Sequence, residues 1–143
     1  MNETSFLHGK VRKVSLQEFH GPPPADATGP KRLHLAQGEL ANFYNGEASM
    51  RYLAFMELRV GGIRGNHFHR KKQEWVYLIS GRLLLVVQEG ETGTPISINL
   101  LAGDLVTIET GIAHAFNPLE PGQAVEFSPA LFDPADIHKF TVI

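Results

Sequence analysis

Between Met50 and Phe127 the apolar residues fall in short runs punctuated by turn residues, and almost none recur at the three-to-four spacing of a helix. Residues 52–60 alternate as a half-buried strand does, Gly61-Gly62 marks a turn, and 64–69 reads as the next strand, with a loop over 70–73. Residues 74–79 and 82–88 flank Ser80-Gly81, which predicts a hairpin. Glycine and proline across 90–95 mark a further turn, and strands are expected over 96–100, 105–108, 113–116 and 124–127. The tail, 133–143, opens on a turn and ends in a short apolar strand. Many short strands joined by regular turns describe an all-β chain folded as a sandwich or barrel.

The first third reads differently. Residues 9–16 predict an edge strand, 20–31 (HGPPPADATGPK) a loop rich in proline and glycine, 32–36 a short strand, and 37–45 either a turn of helix or a loop. The chain therefore divides into an N-terminal extension, 1–49, with edge strands and a Pro/Gly-rich loop, and a β-barrel, 50–143. A length of 143 residues suits one domain whose core needs no staples.

Charge and composition narrow the partners. A net charge of −2 with histidines neutral gives no global attraction to nucleic acid or to an anionic membrane. The absence of cysteine excludes disulfides and thiolate chemistry and fits an intracellular protein. The opening stretch MNETSFLHGKVRKV has no apolar run of signal-peptide length, and the longest apolar region, 75–87, is broken by Ser80, Gly81 and Arg82. A cytoplasmic protein is the expectation.

The chemistry concentrates in two stretches. In GGIRGNHFHRKKQEWVYLISG, His67 and His69 stand two apart on a strand, so both imidazoles point to the same side of the sheet. Glu74 follows a short basic loop and can return to the same point from the next strand. In GDLVTIETGIAHAFNP, His114 follows the turn Thr110-Gly111 and brings a third imidazole from a distant strand. Three nitrogens and one oxygen are a donor set for a divalent metal, with zinc, iron, nickel and manganese all suited. Structural zinc sites are closed and rich in cysteine, so this set fits a site with open positions better.

Gly61, His67, His69, Glu74 and Gly81 match without departure the first cupin motif, a glycine, His-x-His, glutamate and glycine at fixed spacing. Gly103, Asp104, Gly111, His114 and Asn117 resemble the second cupin motif, with Glu109 where proline is usual and Asn117 one residue closer to the histidine. The resemblance spans roughly residues 50 to 130 and implies a double-stranded β-helix, or jelly roll. A narrower likeness refines it. RGNHFHRKKQE is similar to the RG-x-H-x-H-K signature of cupins that isomerise nucleotide-linked keto-sugars, and to a stretch in the cupin domain of a capsular-polysaccharide sugar-nucleotide epimerase. FSPALFDPADIHKF resembles the end of that second domain. The chain departs from the ketoisomerases by keeping Glu74 and His114, which favours a metal here.

What these likenesses imply is a metal-binding isomerase or epimerase of polysaccharide biosynthesis that moves a proton next to a carbonyl. A bound metal would polarise the substrate oxygen; with the site empty of metal, His67 or His69 would act as base and Arg64, at the start of its strand, would hold a diphosphate or a developing oxyanion. The same ligand set serves a mononuclear-metal dioxygenase, and a non-catalytic sugar-binding cupin is the third reading. A homodimer pairing through its sheets is the expected assembly. Arg70, Lys71 and Lys72 read as a solvated loop, Trp75 and Tyr77 as packing residues facing away from the metal, and Phe116 as a cavity wall. Glu57 and Glu126 are candidate acid–base or supporting groups wherever they face inward.

Overall fold

The computed structural model describes residues 2–143. Twelve strands follow one another: β1 (Asn2–Phe6), β2 (Val11–Ser15), β3 (Gln17–His20), β4 (Lys31–Leu35), β5 (Gly38–Asn42), β6 (Tyr52–Leu58), β7 (Arg64–Phe68), β8 (Glu74–Glu89), β9 (Ile96–Leu101), β10 (Asp104–Ile108), β11 (Ile112–Ser128) and β12 (His138–Lys139). The one helical element among the described residues is a 3₁₀ turn, Pro134–Asp136. Among the described residues no helix is long and apolar enough to cross a membrane.

Nine strands form a single antiparallel network in the order β1-β2-β10-β8-β11-β7-β12, with β6 added to β11 and β9 to β8. Two long strands knit it into a jelly roll. The first half of β8 pairs with β10, its second half with β9, and β11 runs alongside both halves. The N-terminal half of β11 also pairs with β7, its C-terminal half with β6.

The hairpin expected at Ser80-Gly81 is absent, because β8 passes straight through it. Likewise 113–116 and 124–127 are the two ends of one strand, β11. Gly81 has φ +89°, and a Cβ there would lie 2.6 Å from the Pro121 carbonyl oxygen; a Cβ on Gly122 would lie 1.9 Å from that of Ser80. The two glycines let the strands touch backbone to backbone where the register slips, so a turn signal becomes a bulge inside a bent strand. The slip is visible in the alternation: Val76 and Leu78 are buried before it, Leu83, Leu85 and Val87 after it.

The barrel interior is closed by one apolar cluster that includes Val11, Leu58, Leu78, Leu83, Leu85, Leu100, Ile108 and Ile112. Each such buried aliphatic side chain contributes about 1.5–3 kcal/mol. A second cluster lies on the opposite face of the same strands, where Trp75, Tyr77, Leu105 and Phe127 point away from the interior. The N-terminal chain covers this face. β1 and β3, both unanticipated, and β5, in the stretch left between helix and loop, are strands; β3, β4 and β5 make a separate three-stranded sheet. Phe43 stacks on Tyr77 at 4.5 Å, Tyr44 meets Trp75 edge-on at 4.9 Å, and Arg32 donates to the Ala102 carbonyl at 3.2 Å. β2 goes further and pairs along its whole length with β10.

Candidate functional site

β7, the start of β8 and the start of β11 meet at one end of the interior. Gly65 has φ +99°, and a Cβ on it would lie 2.7 Å from the His114 carbonyl oxygen, so glycine permits the close approach that sets His67 opposite His114. His67 and His69, two apart, come to the same side as expected, and Glu74 returns after the loop. One donor atom from each of His67, His69, Glu74 and His114 lies within 4.8 Å of every other. The ring centroids of His67 stand 4.7 Å from His69 and 4.9 Å from His114.

The wiring around the rings points the free nitrogens inward. His69 Nδ1 is 2.8 Å from the Asp136 carbonyl oxygen and His114 Nδ1 is 3.0 Å from that of Ile112. A carbonyl only accepts, so each Nδ1 carries the hydrogen and each Nε2 keeps its lone pair for the cluster. His69 Nε2, His114 Nε2 and Glu74 Oε2 are buried without a hydrogen-bond partner. Glu74 Oε2 and His114 Nε2 are 2.7 Å apart with no hydrogen bond between them, so the two lone-pair atoms need a proton or a metal ion to share. Three buried orphan donors aimed at one point are costly alone and are satisfied by a cation. The residues therefore fit a divalent metal ion, and all four donors are of the nitrogen and oxygen type that first-row metals take.

The ionisation pattern agrees. Burial, with the nearby His114 and His69, lowers His67 to about 4, so its ring is neutral at pH 7. Burial would raise Glu74 and lower His114. With no metal bound, a proton taken up by His114 is held by the neighbouring carboxylate, which raises His114 and keeps Glu74 well below the usual carboxylate range against that effect; a cation in the cluster would take that proton's place.

Beside this cluster is a second set, of which the sequence singled out Glu126 alone; it faces inward, onto the cavity. Lys72 is buried, not solvated: its Nζ is 2.5 Å from Glu126 Oε1 and 3.5 Å from Glu74 Oε1, and 4.2 Å from the centre of the Tyr52 ring. Burial would lower the ammonium, but the hydrogen bond to Glu126 and the two carboxylates raise it. One ammonium shared by two carboxylates leaves one of them holding a proton. That one is Glu126, pushed up to about 8 by burial and then by Glu74. Lys72 lies in the loop before β8 begins at Glu74, so no strand parity marked it in the sequence. Tyr52 and Met56 share the inward parity of β6 and were missed likewise, whereas Glu57 points out into solvent and bonds Arg59.

These residues line a cavity of about 340 Å³, with Phe116 on its wall as expected and Arg64 at its rim, exposed and donating one N–H to the Glu57 carbonyl at 2.9 Å. The tail closes one side of it through Phe132 and Ile137, Phe132 stacking on Tyr52. Asp136, buried in the same tail, carries no motif that would mark it; its carboxylate accepts from the backbone N–H groups of Arg70, Lys71 and Lys72 at 2.8–3.1 Å.

An antiparallel double-stranded β-helix with three imidazoles and a carboxylate at the open end of its interior is the architecture of the cupin barrels. The family profile described as the cupin domain matches residues 54–127, just over half of the chain, and the chain belongs to the cupin family. No curated protein matches it in sequence. Solved structures share the fold. A 4-keto-6-deoxy sugar epimerase from the novobiocin gene cluster of Streptomyces spheroides superposes with TM-score 0.73 at 16% identity, over 97% of this chain and 73% of its own. A dTDP-6-deoxy-D-glucose-3,5-epimerase from Legionella pneumophila gives 0.71 at 14%, over 95% and 75%. A 3,4-ketoisomerase from Helicobacter canadensis gives 0.67 at 12%, over 76% and 85%.

Proposed function

We propose that this cupin is an isomerase or epimerase of a nucleotide-linked keto-sugar, acting by proton transfer at the carbon next to the carbonyl. The observation that carries the reading is the buried Lys72–Glu126 pair on the wall of the cavity that holds the histidine cluster. A base must take a proton from carbon and an acid must return one; a carboxyl with its pKa pushed up to about 8 is, in its ionised form, a stronger base than an ordinary carboxylate, and once it has taken the proton it is the acid that returns it. The fold shared with solved sugar epimerases supports the same substrate class.

His67, His69, Glu74 and His114 would hold a divalent ion, which when bound supplies Lewis-acid polarisation of a substrate oxygen. His69, tied through Nδ1 and turned inward through Nε2, serves in this reading as a ligand only. His67, half-buried and lining the cavity, is the histidine nearest an incoming sugar. Glu126 exchanges the proton, Lys72 stabilises the charge that develops on it and on the substrate oxygen, and Arg64 at the rim meets the anionic diphosphate. The four-donor set equally serves a dioxygenase, but proton transfer also gives the Lys72–Glu126 pair a task.

The test is incubation with dTDP-4-keto-6-deoxyglucose in D₂O, followed by NMR. Deuterium entering next to the carbonyl, abolished by His67→Ala and strongly slowed by Glu126→Gln, is the expected result. Oxygen uptake with bound ferrous iron, or tight binding with no exchange, would overturn it. For the assembly we propose a homodimer seated on the outer face of β6, an edge strand on which Leu53 and Phe55 are 70% and 63% exposed.

A further inference from the structure

We infer that Asp136 is a positioning residue for the site: its carboxylate fixes the 70–72 loop while its backbone carbonyl fixes the His69 ring. Both halves of the site hang on this one tail residue. Three successive backbone N–H groups, of Arg70, Lys71 and Lys72, converge on the carboxylate, Oδ1 taking Arg70 at 2.8 Å and Oδ2 taking Lys71 and Lys72 at 3.1 Å each. Such a run of amides forms a cradle for one anionic group. The loop so held is the one that joins His69 to Glu74 and turns the Lys72 ammonium inward. The same residue's carbonyl accepts from His69 Nδ1 at 2.8 Å, which sets the tautomer that presents Nε2 to the cluster.

The tail is fastened so that Asp136 can do this. Asp133 caps the 3₁₀ turn by accepting from Ala135 N at 2.9 Å, and β12 pairs with β7 directly after it. Beyond β12, Asn66 Oδ1 accepts from the backbone N–H groups of Val142 and Ile143, and the Asn66 carbonyl from that of Phe140. The one basic side chain in ion-pair reach of the Asp136 carboxylate among the described residues is that of His138, at 3.6 Å and partly exposed, so the carboxylate is engaged chiefly by the loop. Asp136 lies outside residues 54–127, so the site is completed by chain that the family profile does not reach.

The experiment compares wild type, Asp136→Ala and Asp136→Asn. Histidine ¹⁵N NMR of the metal-free protein reads the His69 tautomer, and Zn²⁺ titration against a competing chelator reads affinity. Asp136→Ala keeps the backbone carbonyl but frees it from the anchor of the three loop N–H groups, so the carbonyl should drift from His69 Nδ1, converting His69 from a single Nδ1–H form to a mixture and weakening Zn²⁺ binding about 10- to 100-fold. Asp136→Asn, which keeps one acceptor oxygen for Arg70 and loses the other, should fall between; it carries the test if the alanine variant does not fold. Leu100→Val, a core change away from the tail, should lower thermal stability and leave both readouts unmoved. Unchanged His69 signals in a folded variant overturn the inference whatever the affinity does. The affinity arm rests on the metal reading; the tautomer arm does not. A wild type that binds no Zn²⁺ would sink that reading and still leave Asp136 to be decided by NMR.

Discussion

Glu126→Gln in metal-free protein isolates the proton that the Lys72 site forces onto a carboxylate. Glu126 is raised from its ordinary 4.5 to about 8 by burial and by Glu74, and its side chain is only 14% exposed. A carboxyl with a raised folded-state pKa favours folding fully below its unfolded value and loses that contribution as pH climbs through the folded one. The window is therefore pH 4.5 to 8, with stability falling as pH rises. Each unit of difference corresponds to about 1.4 kcal/mol, so the full loss has an upper bound of about 5 kcal/mol, and relaxation or water entry would reduce it to about 2–4. Glutamine keeps an oxygen for Lys72 and cannot ionise. Urea denaturation with chelator present should find the variant within about 1 kcal/mol of wild type at pH 5 and more stable by about 2–4 kcal/mol at pH 8.5. An equal difference at the two pH values would refute the reasoning, because Glu126 would then be an ordinary ionised partner of Lys72.

Three further outcomes follow from the geometry. Adding a divalent metal at a thousandfold excess over its Kd should stabilise the protein by about 4 kcal/mol, raising Tm by roughly 10–15 °C for a chain of this size, and His114→Ala should erase the shift; calorimetric scans check it. Gly81→Ala should lower stability by about 1–3 kcal/mol in urea titration, since a Cβ at φ +89° would press on the Pro121 carbonyl. Leu53→Lys with Phe55→Lys should convert the proposed dimer to a monomer in light scattering while leaving the circular dichroism spectrum intact.

The period-two pattern made the barrel strands legible because each presents one face to the interior, and that same parity put His67 and His69 on one side, to which the short loop returns Glu74. What misled was local grammar. Ser80-Gly81 reads as a turn, yet its glycine serves a strand crossing whose other half, Pro121-Gly122, is some forty residues away. The N-terminal strands were partly hidden because β1, β3 and β5 are mostly exposed, so they lack the apolar alternation that burial imposes. Lys72 was hidden by its neighbours: in the run Arg70-Lys71-Lys72 two side chains are solvent-exposed, and only the partners Glu126 and Tyr52, distant in sequence, turn the third inward. Asp136 acts through backbone amides and a carbonyl, which leave no pattern in side-chain identity.

Elemental analysis of the protein purified without chelator, beside its His114→Ala variant, bears most directly on the claim that four side chains share one cation. The account predicts about one equivalent of a first-row divalent metal in the wild type and none in the variant. A wild type that carries no metal and takes up neither zinc, iron, nickel nor manganese on dialysis would contradict it.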